Sequence, residues 1–70
     1  MISYKPLFKI LLERDMTKTQ LREAISLSPN VIAKMSKGDY VSLEVLERIC
    51  LYLGCQLSDI AEIIPNKSED

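Results

Sequence analysis

Histidine and tryptophan are both absent from this 70-residue chain, and glycine occurs only twice. Without histidine the commonest general base and metal ligand is missing, which argues against a free-standing enzyme. The two cysteines, Cys50 and Cys55, do not make a zinc site without histidine partners. Aromatic residues are few, namely Tyr4, Phe8, Tyr40 and Tyr52, and the tyrosines are expected to pack or to sit at rims. There is no internal repeat, low-complexity tract, heptad array, glycine-rich phosphate loop, GxSxG or Walker sequence. Long apolar runs are also missing. The segment MISYKPLFKILLERD meets charges within its first turns, so it suits neither a signal peptide nor a membrane span. These absences lead us to expect a cytoplasmic protein with no membrane partner, cofactor, metal, catalytic residue or small-molecule ligand. In that compartment Cys50 and Cys55 stay reduced and are read as buried structural residues. A disulfide between them is disfavoured, with one cysteine mid-helix and the other just past the helix end.

What is present is a globular composition. Apolar residues make up 47% of the chain, enough for a core. Seventy residues allow one domain, expected over 1–65 with a polar tail at 66–70. A chain of this size buries only about 60% of its unfolded surface, so the core has to be compact. Charge is distributed unevenly. Residues 1–40 hold seven basic and four acidic side chains, a net of +3, whereas residues 41–70 hold two and six, a net of -4. The overall net charge of -1 conceals a basic N-terminal half.

Apolar spacing and end signals predict five short helices and no strand. The first starts near Pro6, with Leu7, Phe8, Leu11 and Leu12 at helical intervals, and closes at Asp15-Met16. Thr17 opens the second, and Gln20 completes a capping box. Met16 and Leu21 can form a hydrophobic staple, and Leu21, Ala24 and Ile25 give the apolar face. Ser28-Pro29 starts the third helix. Val31, Ile32 and Met35 form its underside, and Gly38 is placed to adopt the left-handed conformation that ends it. Ser42 caps the fourth, whose inward stripe is Leu43, Leu46, Ile49, Cys50 and Leu53, with Gly54 as the stop. Ser58 caps a fifth segment, SDIAEII, with Leu57, Ile60 and Ile64 as core residues, and Pro65 ends it.

Helices two and three with a tight corner between them have the spacing of a helix-turn-helix. The stretch TKTQLREAISLSPNVIAKMSKGDYVSLEVLERICLYLGC resembles the Cro and lambda-repressor-like helix-turn-helix domains, the xenobiotic-response-element family of bacterial and phage regulators. The resemblance covers about residues 4–64. It departs from the family pattern at Arg22, Ser26 and Pro29, where relatives often carry alanine, glycine and a polar residue. It implies an all-α, compact five-helix fold and a sequence-specific, double-stranded DNA-binding transcriptional regulator. In that reading Asn30 and Lys34 read adenine and guanine edges, and Ser28 bonds a base or a phosphate. Pro29 and Ala33 offer apolar surface to thymine methyls. Thr17, Lys18, Lys37 and Tyr40 meet backbone phosphates. One recognition helix reads only a few base pairs, which implies a homodimer. Val45, Ile49 and Tyr52 on helix four, with Leu51 and Ile63, are its candidate interface. The alternative is a protein-interaction module, antitoxin-like or an adaptor, that keeps the fold and binds through helices four and five.

Overall fold

The computed structural model describes residues 1–65, so the polar tail expected at 66–70 lies outside the described residues. Five helices run in chain order: α1 (Lys5–Glu13), α2 (Lys18–Ala24), α3 (Pro29–Lys37), α4 (Leu43–Leu53) and α5 (Leu57–Ile60). Two very short strands, β1 (Ile2–Ser3) and β2 (Glu62–Ile63), pair antiparallel with Ile2 opposite Ile63. Sequence patterning did not reveal them, because two residues carry no periodicity. The pairing comes from the two ends of the chain. The Met1 amino group donates to the Ile64 carbonyl at 3.2 Å, and the Ile64 N–H donates to the Met1 carbonyl at 2.9 Å.

Helix starts follow the local signals. The Thr17 hydroxyl accepts from the Gln20 N–H at 3.0 Å, and Gln20 Oε1 accepts from the Thr17 N–H at 2.8 Å, which closes the capping box. Ser42 accepts from the Val45 N–H at 3.3 Å. Ser28 precedes α3 with extended backbone, but its hydroxyl makes no cap bond. The last helix departs from expectation. It starts at Leu57, ahead of Ser58, where the Asp59 carboxylate accepts from the Gln56 N–H at 2.9 Å. It stops at Ile60, because the following backbone is drawn into the strand pair.

Helix ends share one device. After α1, α2, α3 and α4 comes a residue of positive φ, in turn Asp15 (55°), Ser26 (56°), Gly38 (78°) and Gly54 (70°). The residue after each donates its N–H back five positions: Met16 to Leu11 at 2.8 Å, Leu27 to Arg22 at 2.9 Å, Asp39 to Lys34 at 2.9 Å, and Cys55 to Cys50 at 3.1 Å. This is the Schellman termination, which satisfies carbonyls that a helix end leaves open. Both glycines of the chain serve it. Ser26, at the corner between α2 and α3, adopts the same conformation with a side chain, at a cost of about 1–2 kcal/mol. Ser26→Gly is therefore expected to raise stability by about 1 kcal/mol, or about 4–8 °C in Tm, measured by thermal circular dichroism. An unchanged or lower Tm would remove backbone strain at this corner from the account.

The core is Tyr4, Leu7, Leu11, Leu21, Leu27, Met35, Leu46, Ile49, Leu53 and Ile60. Several expected core residues lie elsewhere. Leu12, Ala24, Leu43 and Leu57 are exposed, Ile64 is half-buried, and Cys50 and Cys55 are half-buried free thiols. A short helix buries only a narrow arc, so residues at the edge of an apolar stripe reach solvent. Burial also corrects the dimer interface expected on α4. Ile49 is 0% exposed and cannot contact a second chain. Val45 is half-buried, and at 100° per residue Val45 and Tyr52 share one flank of α4 while Leu43 and Cys50 lie on the other. Ile63 lies beside Leu43 and Leu57, so the expected interface residues do not form one surface.

Candidate nucleic-acid interface

The outer face of α3 is built by subtraction. Met35 is fully buried, and Val31 and Ile32 are half-buried against the core. At 100° per residue this inward arc turns Pro29, Asn30, Ala33, Lys34, Ser36 and Lys37 outward, and all six are exposed. Ser28, at the helix start, is exposed as well, with its hydroxyl not used by a cap bond. The structure thus brings the five expected base-reading residues, Ser28, Pro29, Asn30, Ala33 and Lys34, onto one solvent-facing surface.

The corner of residues 25–28 holds α2 against α3. Leu27 is buried, and its N–H is bonded to the Arg22 carbonyl. Arg48 of α4 donates to the Ile25 carbonyl, which fastens the C-terminal end of α2. Arg14 makes a similar bond to the Leu53 carbonyl at the end of α4, at 2.8 Å. These two cations, Arg14 of the basic N-terminal half and Arg48 of the acidic C-terminal half, clamp helix ends. Arg22, half-buried, sits 4.0 Å from the exposed Glu23 carboxylate, a long surface pair that contributes little. Lys34 and Lys37 form no ion pair among the described residues.

Of the expected phosphate-contacting residues, Lys18 has the most specific environment. Its ammonium lies 4.1 Å from the centre of the Phe8 ring and donates to the Ser36 hydroxyl at 3.2 Å. Lys18 therefore links α1, α2 and α3, with two of its three donors left over. The Thr17 hydroxyl oxygen is occupied as an acceptor by the capping box, leaving its O–H to donate. Tyr40 is 73% exposed, on the turn after α3. That turn is pinned by Tyr4, which is buried and donates its phenol O–H to the Asp39 carbonyl at 2.9 Å. Burial pushes the Tyr4 phenol above the ordinary tyrosine range, so it stays a neutral donor. Lys18, Lys37, Tyr40 and the outer face of α3 are all exposed, and the Lys18–Ser36 bond ties Lys18 to α3.

Sequence reasoning missed Ser36. Its signal was available, since it lies three residues after Ala33 and so on the same outer face. It missed the clamping roles of Arg14 and Arg48, for which no local signal exists, because their carbonyl partners lie 39 and 23 residues away.

The family model for the Cro/C1-type HTH DNA-binding domain matches residues 7–66. The chain is also similar to a solved structure described as the crystal structure of transcriptional regulator VanUg, Form II. The two are 48% identical, superpose with a TM-score of 0.90, and are covered over 93% of this chain and 87% of that one. A search of curated proteins gives no match.

Proposed function

The chain belongs to the Cro/C1-type helix-turn-helix DNA-binding domain family, and on that premise we propose that it regulates transcription by reading double-stranded DNA with α3 in the major groove. The observation that supports this most is the outer face of α3, where Asn30 and Lys34 stand four residues apart and both are exposed. Asn pairs bidentately with adenine, and Lys donates to guanine, each at about 1–3 kcal/mol of discrimination. Ser28 donates to a base or phosphate, while Pro29 and Ala33 meet thymine methyls. Thr17, Lys18, Lys37 and Tyr40 hold the backbone on either side. Lys18 then has a double part, bracing α3 through Ser36 and presenting its remaining N–H groups to phosphate.

One recognition helix reads only a few base pairs, so the protein acts as a homodimer on half-sites about 34 Å apart. With Ile49 buried, the α4 surface left for such a contact is Tyr52 with exposed Leu51 and the edge of Val45.

Selection of bound sites from a random duplex pool tests the reading. Asn30→Ala and Lys34→Ala are each expected to relax the preferred sequence at one position, losing about 1–3 kcal/mol there. Lys37→Ala is expected to weaken all sequences alike. Equal losses on every sequence from all three variants would remove base reading from α3.

A further inference from the structure

On the other side of α4 from Tyr52, two adjoining depressions share Leu43 and Leu57 as common walls. Exposed apolar residues scattered singly need no explanation. Here three of them, Leu43, Leu57 and Ile63, line one continuous groove between α4, α5 and β2, and Ile63 is 78% exposed. Among the described residues the groove's charges have one sign. Glu44, Glu47 and Glu62 line it, and no described Lys or Arg does. Lys9 and Arg14 lie in a separate depression, where the Arg14 guanidinium is already bonded to the Leu53 carbonyl.

An apolar groove with an acidic rim selects its occupant by charge. A second copy meeting this face across a two-fold axis would set its own Glu44, Glu47 and Glu62 against the same residues, and facing like charges oppose association. A helix with apolar side chains on one side and cations on the other satisfies both features together. We propose that this groove docks a partner protein through an amphipathic segment, apolar toward Leu43, Leu57 and Ile63, and carrying Lys or Arg toward the three glutamates. No residue of the groove belongs to the outer face of α3, so duplex DNA and such a partner can be held at once. The inference does not rest on the base-reading assignments.

The test titrates the full chain with two fluorescein-labelled helical peptides, one of leucine and lysine at amphipathic spacing and one with glutamate in place of each lysine. Fluorescence anisotropy is expected to show the lysine peptide binding at least about tenfold more tightly. Leu43→Ala with Leu57→Ala is expected to weaken it about tenfold. Glu44→Gln with Glu47→Gln should weaken it several-fold and flatten its salt dependence. These side chains are exposed, so the variants keep their helical circular dichroism. Cys50 and Cys55 line the same groove and report its occupancy directly. Bound lysine peptide is expected to slow their alkylation by iodoacetamide. Equal binding of the two peptides, or an affinity unmoved by the leucine substitutions, overturns the proposal. Cysteine protection that grows with protein concentration alone also overturns it, because a second copy then fills the groove. Duplex-DNA affinity is expected to survive the leucine substitutions. Its loss would assign the face to a DNA-binding dimer instead.

Discussion

Leu21→Ala is expected to lower the stability of the fold by about 2–5 kcal/mol, the range for truncating a fully buried leucine. Leu21 is 0% exposed, and it is the buried residue of α2. Its carbonyl accepts the Ile25 N–H at 3.3 Å, at the entry to the corner that sets α2 against α3. A domain of this length has about 4–10 kcal/mol in total, so the loss takes a large share of it. Small cores have few neighbours able to collapse into the space left behind. Urea unfolding followed by circular dichroism is expected to show a much lower midpoint with an unchanged slope. DNA binding should fall with the folded fraction. A midpoint within a few tenths of a molar of the parent would refute the packing described around α2.

The second large effect is ionic. Raising salt from 50 to 200 mM is expected to weaken duplex binding by about a thousandfold. In the proposed dimer, Lys18, Lys34 and Lys37 of two copies present six cations to DNA. At a slope of about -0.9 per neutralised phosphate, a fourfold rise in salt then costs roughly three decades. Lys37→Ala should reduce the slope by about two in the dimer, one for each copy, because its charge is not engaged elsewhere among the described residues. Lys18→Ala should do more than that. It also breaks the link to Ser36 and Phe8, so its loss includes poorer placement of α3. A titration of log affinity against log salt on random duplex separates these cases. A slope near zero would end the DNA-binding reading of this surface.

Most of the candidate surface could be read in advance, and the reason is local. Pro29, Gly38 and the spacing of Val31, Ile32 and Met35 set where α3 begins, ends and faces, all within one short segment. Once Met35 points inward, Asn30 and Lys34 have to point outward. The same logic did not separate core from flank on α4. Leu43 follows the apolar pattern, yet it is 73% exposed, because α5 and β2 leave an open groove beside it. Ile49 fits both a core stripe and an outward stripe by counting, and burial places it in the core.

The amino-acid sequence by itself determined the helix starts at Thr17, Ser28 and Ser42 and the stops at Gly38 and Gly54, along with the outer face of α3. Each of these is decided by bonds or sterics reaching no further than about six residues. The tertiary structure alone decided the strand pair between the chain ends, the use of Arg14 and Arg48 as clamps, and the seating of Lys18 on Phe8 and Ser36. It also decided which apolar side chains remain as an open groove. Each of those depends on partners 10 to 63 residues apart, which meet only after the helices have packed.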